Sequence, residues 1–393
     1  MADVAAPAPR IPLWRNVRFR RVLGQLIFAI LFSIVVREVW LNIEFNAARR
    51  REVLGFGFLG NGLGFDIGGG TEVGSSSPVW RAIFQVGLVN TLTVAGLGIL
   101  LSSILGLILG VARLSPNWLV RKIAQTYVEV IRNTPLLVQV VFWYVAVFLG
   151  FPRIENSLSI LNVAFFSVRG MAIPWFDLEP SAGTWGFFLM TGVVAAVVVW
   201  VVRTRISERT GRPHRRVLSA AATFLVVGVV GYLVAGTPTS ADVPRVLPTA
   251  YEGGVWFRPE LTALLVALVF YTSAFIGEII RGSIQAVSKG QHEAAESLGF
   301  RRAQQLRLVI LPQALRIAIP AINSQYLNLM KNSSLAVLIG FPELLTIASA
   351  IKDNKGHALP VLFLTALVYL GISLTISFLM NLLNRAVTVR GAR

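Results

Sequence analysis

The sequence lacks cysteine altogether and is poor in charge. Its 393 residues include no Cys, three His and only 14% charged residues, while 55% are hydrophobic. The absence of Cys excludes disulfides, thiolate metal sites and cysteine nucleophiles. Soluble domains carry about 25% charged residues, so this composition excludes an ordinary soluble protein and indicates an integral membrane protein.

Nucleotide and metal motifs are missing too. No Gly-Lys pair occurs, which excludes a P-loop. The Gly-x-Gly-x-x-Gly pattern at Gly55–Gly60 has neither a buried strand before it nor a helix directly after it, so the glycine-rich stretch 55–74 is predicted to be a flexible outer loop. The three His are too widely spaced for a ligand set. We predict no metal site, no cofactor in this chain and, despite a net charge of +17, no nucleic-acid partner.

Eight stretches are apolar and long enough to cross a bilayer core about 30 Å thick. They are 22–41, 84–112, 135–151, 184–202, 217–235, 261–280, 317–340 and 359–384. We expect the short third span to begin one turn earlier. Backbone groups in lipid must be paired internally, so the predicted fold class is an all-α integral membrane protein. The first span has no small-residue cleavage site after it, which favours an uncleaved helix over a signal peptide.

The distribution of basic residues predicts the orientation of the chain. If the N-terminus is cytoplasmic, the cytoplasmic segments hold 24 Lys and Arg and the outer segments hold 11. Basic residues are enriched in cytoplasmic loops. We therefore predict that both termini are cytoplasmic and that net charge reflects membrane orientation.

The segment 281–316, between the sixth and seventh spans, is polar and helix-prone. Ala295, Gly299, Ala303 and Leu306 recur at helical spacing, which predicts one helix with a face of small side chains suited to contact with another protein. The alternative is an amphipathic helix lying on lipid headgroups, although such a helix favours large apolar residues. Pro312 is expected to break the helix and bend the chain.

Polar residues within the spans leave several interpretations open. A charge in the bilayer is costly, so Lys331 either lines a substrate path or snorkels or pairs within the protein. Glu278 is a candidate counter-charge, although Arg281 could satisfy it locally. Other candidates for the path are Glu278 itself, Asn328, Asn332, Ser333 and Ser334. Lone amides in spans, such as Asn90, Asn133 and Gln139, either line a path or join helices, and Pro320 marks either a hinge or a substrate-site break.

One motif resembles a known family. The pattern Glu-Ala-Ala-x3-Gly-x9-Val-x-Leu-Pro, from Glu293 to Pro312, is similar to the EAA loop of binding-protein-dependent ABC importers, in which Ile is usual at the position of Val309. In that family the loop forms a coupling helix seated on a separate ATPase subunit. The resemblance implies that the coupling residues are Glu293, Ala294, Ala295, Gly299, Leu311 and Pro312, and that ATP and Mg²⁺ bind to the partner ATPase.

Further motifs resemble the polar amino-acid permeases. They are Asn90-Thr91-Leu92, Arg132-Asn133-Thr134-Pro135 with Gln139, Lys331-Asn332-Ser333-Ser334-Leu335 and Pro342-Glu343-Leu344. The resemblance covers roughly 85–150 and 261–386, the five-helix core of the type I importers. It implies four parts: an N-terminal helix and glycine-rich periplasmic loop (1–83), the first part of the core (84–151), an inserted helical pair with periplasmic loops (152–260), and the second part of the core with the coupling loop (261–393).

The resemblance implies a permease subunit of a bacterial inner membrane that passes L-amino acids into the cytoplasm. Its implied partners are ABC ATPase subunits, a second homologous permease subunit, a periplasmic amino-acid-binding protein and the lipid bilayer; the chain itself is not expected to be an enzyme. An ion-coupled secondary transporter or channel is the alternative, but it should carry ionisable residues in several spans, and only Lys331 and Glu278 qualify. An intramembrane enzyme would need converging catalytic groups, which the spans do not show.

Overall fold

The computed structural model describes residues 17–50, 55–67, 73–210 and 215–388. Arg10, Arg15 and the central glycines 68–70 of the glycine-rich stretch lie outside the described residues. The chain divides into two units, Met1–Leu88 with Ile347–Leu370, and Val89–Thr346 with Gly371–Arg393. In the first unit, Gly57–Gly60 form a 3-10 turn whose Phe58 stacks on His357.

Helices dominate the described residues. They are α1 (Val17–Arg50), α2 (Val79–Arg81), α3 (Val89–Ala112), α4 (Trp118–Asn133), α5 (Leu136–Val141), α6 (Ala182–Thr210), α7 (Arg216–Val234), α8 (Pro259–Gln285), α9 (Lys289–Ser297), α10 (Arg302–Gln305), α11 (Leu311–Asn332), α12 (Leu344–Lys355) and α13 (Ala358–Thr388). π-helical turns continue three of them at Ala82–Leu88, Phe142–Phe148 and Leu306–Ile310, and a 3-10 helix follows α11 at Ser333–Ile339. This architecture confirms the predicted fold class.

Glycines bring α3 and α8 into close parallel contact. A Cβ at Gly106 would lie 2.6 Å from Cγ2 of Ile276, and one at Gly110 would lie 2.8 Å from Cβ of Ile280. Only a residue without a side chain allows this approach. Because residue numbers rise together along the contact, α3 and α8 run in the same direction.

That direction decides how many times the chain crosses the membrane. Among the described residues, seven helices are long and apolar enough to span it, and a pair of helices, Trp118–Asn133 and Leu136–Phe148, bent by 103°, makes an eighth span if it crosses. Two parallel spans must be separated by an odd number of crossings. Since α6 and α7 supply two, the bent pair supplies the third, and the structure supports the predicted eight spans.

The third span differs from its prediction at its start. It does not begin one turn earlier as a straight helix, because the chain turns sharply at Thr134 and Pro135, where the residue before a proline disfavours helical geometry. Residues 118–133, predicted to be part of a cytoplasmic loop, form α4.

The inserted region contains short strands that sequence analysis did not identify. They are β1 (Leu158–Ile160), β2 (Ala164–Ser167), β3 (Gly170–Ile173), β4 (Trp175–Leu178), β5 (Thr239–Asp242), β6 (Arg245–Val246), β7 (Tyr251–Glu252) and β8 (Val255–Phe257). An antiparallel sheet has the order β1-β2-β3-β8, and β4 pairs with β5 and β6 with β7. The β4–β5 pair joins the start of α6 to the end of α7, while β3 pairs with β8, the strand directly before α8.

A buried apolar cluster joins the elements that carry the family motifs. Val94 of α3, Leu136 and Val140 of α5, Leu268 of α8 and Leu329 of α11 are all buried in it. The core therefore holds the ends of the bent pair and of α11 against α8, which is the helix that leads into the predicted coupling segment.

Candidate functional site

The predicted coupling helix is two short helices. α9 ends at Ser297, Gly299 adopts a φ of +74°, and α10 begins at Arg302. The amide of Phe300 donates to the carbonyl of Ala295 at 3.1 Å, and that of Gly299 donates to the carbonyl of Glu296 at 2.8 Å. This Schellman ending requires a left-handed residue. The prediction that Ala295, Gly299, Ala303 and Leu306 share one helical face is therefore wrong, because the helix stops among them.

The exposed surface of α9 also differs from the predicted docking side. Ala295 is only 2% exposed and faces its own chain, whereas Glu293 and Ala294 face outward. Leu298, at the C-terminal end, is 73% exposed. A Cβ at Gly299 would meet no atom within 4 Å, so this glycine serves the turn rather than a close approach. The surface available to a partner is the outer side of α9 and its end.

Two glutamines fasten α9 to the following helices. Gln305, which is buried, donates through Nε2 to the carbonyl of His292 at 2.8 Å. Gln313 of α11 donates through Nε2 to Oε1 of Gln291 at 3.0 Å. An apolar cluster of Val287, Ile310 and Ala314 lies beneath these bonds. The short helix is thus a rigid extension of the span that follows it.

Leu311 and Pro312 do not interrupt that span. The π-helical turn Leu306–Ile310 leads directly into α11, and the amide of Leu311 donates to the carbonyl of Leu306. Pro312 lies in the first turn of α11, where a missing N–H costs little. The predicted break is not found, and helical structure continues from Arg302 to Ile339.

One face of α11 is polar and open. Ser324, Asn328 and Lys331 are exposed at helical spacing. Among the described residues, Lys331 forms no ion pair. A polar face on a membrane span needs water or another protein against it.

The other predicted path residues of this segment lie differently. Ser333 is buried and donates to the carbonyl of Met330 at 2.7 Å. Ser334 donates to the carbonyl of Lys331, and both Ser334 and Asn332 are half-buried. Their hydroxyl bonds support the turn at the end of α11. The open face therefore brings together Asn328 and Lys331 from the predicted set.

Glu278 is the centre of a group of arginines. Its carboxylate contacts Arg113, which follows α3, and Arg281, one turn along α8. Arg132 at the end of α4 lies 4.0 Å away. Burial lowers the pKa of Arg113 from its ordinary value, and the neighbouring Arg281 and Arg132 lower it further. The group thus ties the ends of three helices around one carboxylate.

Glu278 is not a counter-charge for Lys331. Leu329 packs against Gly98, eight residues before the Gly106 position that contacts α8 near Glu278. At 1.5 Å per residue, Lys331 and Glu278 are roughly 15–20 Å apart along the helix axes. The predicted pairing is therefore wrong, whereas the local pairing of Glu278 with Arg281 is found.

The signature at residues 132–139 forms the bend of the third span. Gln139 is buried and donates through Nε2 to the carbonyls of Ile131 and Thr134, both at 3.0 Å. Both carbonyls lie at the end of α4, where helical carbonyls lose their usual partners; that of Ile131 accepts besides only a 3.4 Å bond from the amide of Thr134, so Gln139 caps the break. Asn133 and Pro135 are exposed, and the guanidinium of Arg132 lies 5.1 Å from the ring centre of Phe275. Of the two open interpretations for Gln139, the structural one fits these bonds.

Two other signatures meet although 252 residues separate them. Nδ2 of Asn90 donates to the carbonyl of Pro342 at 2.9 Å. The hydroxyl of Thr91 accepts from the amide of Leu344 at 3.1 Å, and Oε1 of the fully buried Glu343 caps α12 by accepting from the amide of Thr346. Both motifs are recognisable in the sequence, but nothing in it indicates that Thr91 and Glu343 are partners. Asn90 therefore joins α3 to the link before α12.

Comparison with known proteins decides the family. The family model described as "Binding-protein-dependent transport system inner membrane component" matches residues 102–389. The chain belongs to this family. This permease is therefore a membrane component of a transport system that depends on a binding protein, and the predicted family resemblance is confirmed.

Full-length relatives carry more specific names. The chain is 40% identical over 379 residues to YhdX of Escherichia coli strain K12, whose name describes an amino-acid ABC transporter permease, with 95% of both chains covered. It is 37% identical to the general L-amino acid transport system permease protein AapQ of Rhizobium johnstonii, over 93% of this chain and 92% of AapQ. It is 34% identical to the glutamate/glutamine/aspartate/asparagine transport system permease protein BztB of Rhodobacter capsulatus, over 95% of each.

Proposed function

We propose that this permease moves L-amino acids into the cytoplasm, driven by ATP hydrolysis on separate ABC ATPase subunits that hold ATP and Mg²⁺. Three relatives matched over nearly their whole length are named for amino-acid transport, which supports this cargo. A second homologous permease subunit and a periplasmic amino-acid-binding protein complete the assembly. Family membership gives no support to an ion-coupled secondary transporter.

The membrane is the bacterial inner membrane, and both termini face the cytoplasm. The excess of basic residues in the segments next to α9 supports this orientation. It places α9 on the cytoplasmic side, within reach of an ATPase, and the β1–β3 strands on the periplasmic side, within reach of a binding protein.

The observation that carries the proposal is the rigid attachment of α9, whose outer side is free. Glu293, Ala294 and Leu298 form the surface for the ATPase. Closure of the ATPase subunits moves α9, and the bonds made by Gln305 and Gln313 transmit this movement to α11. Because the polar face of α11 lines the path, the same movement exposes that face alternately to the two sides.

Leu298→Asp tests the coupling surface. A charge buried at the ATPase contact without a partner costs several kcal/mol, so we expect co-purification of the ATPase to fall about tenfold or more, with membrane insertion unchanged. Leu161→Asp, at a β-hairpin tip on the opposite side of the membrane and 89% exposed, is the matched control and keeps the ATPase. Unchanged ATPase retention in Leu298→Asp would remove α9 from the contact.

Lys331→Met tests the path. The ammonium group of Lys331 meets the substrate carboxylate in our proposal, and a hydrogen bond to a charged group contributes about 1.5–3 kcal/mol. We expect the KM for uptake by proteoliposomes holding the full transporter to rise about tenfold or more, with partial rescue by Lys331→Arg. Unchanged kinetics for acidic, basic and neutral amino acids would assign Lys331 to a structural role.

A further inference from the structure

An apolar groove lies beside the coupling segment. Its walls come from four parts of the chain: Leu107 and Val111 of α3, Val120 of α4, Ile284 of α8, and Leu306 and Ile310 before α11. It encloses about 830 Å³. Several wall residues, including Leu107 and Val111, are exposed, so the groove is open on one side and needs an apolar occupant.

The depth of the groove in the membrane limits what can fill it. Leu107 and Val111 lie in the last two turns of a membrane span that ends at Ala112, which places them within roughly 8 Å of its end. At the start of α4, Trp118 and Ile123 are exposed around Arg121 and Lys122. Aromatic and basic residues mixed in this way are typical of the headgroup layer. The groove therefore runs from the headgroups into the hydrocarbon of one leaflet, where a lipid chain is present and a soluble partner is not.

One arginine lies at the rim of the groove. Nη1 of Arg121 donates to the carbonyl of Ser115 at 2.9 Å, and Ser115 and His292 both line the groove. None of the lining residues is acidic. The bond to Ser115 holds the guanidinium at the mouth and leaves it further donors, which suit a phosphate oxygen.

We propose that this groove binds an acyl chain of an anionic phospholipid, with its phosphate against Arg121 and His292. The assignment to the cytoplasmic leaflet rests on the proposed function, because that function places α9 in the cytoplasm. The bound chain contacts Ile310, which packs on Val287 and Ala314 beneath α9. The lipid therefore fills the space between the membrane helices and the coupling segment and keeps that segment in position.

Photolabelling of the complete transporter in nanodiscs tests this site. Phosphatidylcholine nanodiscs receive a trace of phosphatidylglycerol or phosphatidylcholine that carries a diazirine on one acyl chain, and labelled peptides are identified by mass spectrometry. We expect the phosphatidylglycerol probe to label residues 107–111 and 306–310 severalfold more than the phosphatidylcholine probe. Arg121→Gln should reduce this excess, whereas Lys122→Gln, its neighbour outside the groove, should not.

A second variant separates the groove from general lipid contact. Val111→Trp fills the groove and should abolish labelling of residues 306–310, while Leu100→Trp, on the same helix and equally exposed but outside the groove, should not. Equal labelling by both probes, or no labelling at all, would overturn the proposal. Labelling that appears only when the ATPase subunits are removed would show that the ATPase occupies the groove, which would also overturn it.

ATP-driven uptake by the same preparations keeps this proposal separate from the proposed function. If the preparation transports no amino acid yet shows labelling specific for phosphatidylglycerol, the lipid site stands and the proposed cargo is wrong. If uptake is normal and labelling does not depend on Arg121, the lipid site is wrong and the transport function stands.

Discussion

The core and the inserted hairpin are equally apolar but are buried in different ways. In the most apolar stretch of α8, 61% of residues are buried, whereas the corresponding share is 6% in each of α6 and α7. The hairpin helices contact mainly each other, through Gly192, Gly228 and Gly231. Apolar composition thus identifies which segments enter the membrane, while small and polar residues decide which helices pack together. We therefore expect transport to depend on the helix contacts made by small and polar residues and not on apolar composition alone.

The largest effect is expected when a glycine at a helix contact is replaced by valine, once in the core and once in the hairpin. In Gly106→Val, the new Cβ meets Ile276 and the backbone carbonyl of Ser273 at 3.2 Å. Overpacking costs about 1–3 kcal/mol, and the backbone cannot rotate away, so we expect the high end of this range. In Gly231→Val, the new Cβ lies 2.2 Å from Cβ of Phe188, which is fixed to the backbone, so α6 and α7 must move apart within the hairpin.

Thermal unfolding and uptake by the reconstituted transporter distinguish the two variants. Gly106→Val should give little folded protein and no uptake, whereas Gly231→Val should lower the unfolding temperature but retain uptake. Loss of uptake in a folded Gly231→Val protein would show that the hairpin takes part in transport, and the contrast between the two regions would fail.

A smaller effect is expected from single polar groups. Gln139→Leu removes the side-chain bonds to the carbonyls of Ile131 and Thr134 and leaves that of Ile131 with only the 3.4 Å bond from the amide of Thr134. The loss costs about 1–3 kcal/mol, offset in part because Oε1 of Gln139 is buried without a partner among the described residues. In the hairpin, Trp185→Phe removes one bond to the carbonyl of Gly228, worth about 0.5–1.5 kcal/mol.

Amide hydrogen exchange measures where each change acts. Gln139→Leu should speed exchange around the bend at residues 131–139, and Trp185→Phe should speed exchange only in α6 and α7. The half-buried Gln125→Leu, which loses an exposed bond to Glu129 within one helix, is the control and should be within about 0.5 kcal/mol of the original stability. Protection at the bend that stays unchanged in Gln139→Leu would mean that Pro135 alone sets the angle.

The sequence predicts the spans well because hydropathy is a local property. It predicts the pairing of Glu278 with the nearby Arg281. It does not predict Arg113 as a second partner, since Arg113 is 165 residues away. The contact between Thr91 and Glu343 is hidden for the same reason. Pairing of this kind depends on which helices pack together, and that information lies in glycines such as Gly106 and Gly110, whose contacts are not visible in a single sequence.

The helix end at Gly299 and the bend at Thr134-Pro135 are both indicated by residues at those positions, but the helical spacing of the surrounding residues favoured continuous helices. Gly299 follows a run of good helix formers, and a glycine there is a common helix stop, yet Ala303 and Leu306 continue the spacing of Ala295 and favoured one helix. Thr134-Pro135 likewise indicated the bend. The strands are different, because β3 pairs with β8 across the whole inserted hairpin, and strands of two to four residues have too little pattern to detect.

Two glycines that end helices in the same geometry, one in the core and one in the hairpin, allow a comparison of function at nearly equal stability. Gly299 ends α9 and Gly236 ends α7, with φ of +74° at both and the same pair of amide bonds back to the helix. Neither position has an atom within 4 Å of a new Cβ. Gly299→Val and Gly236→Val should therefore carry a similar strain of about 1–2 kcal/mol, without steric conflict in either case.

Only the change at Gly299 should alter coupling. Strain there releases the end of α9, so we expect fewer amino acids transported per ATP hydrolysed in Gly299→Val and substantial recovery in Gly299→Asn, because Asn tolerates the left-handed region. Gly236→Val should keep the original ratio, as should Gly290→Ala, which adds a side chain within α9 where no atom lies within 4 Å. If Gly299→Val also keeps the original number of amino acids transported per ATP, the same strain has the same effect at both helix ends. The orientation of the α9 end would then not control coupling.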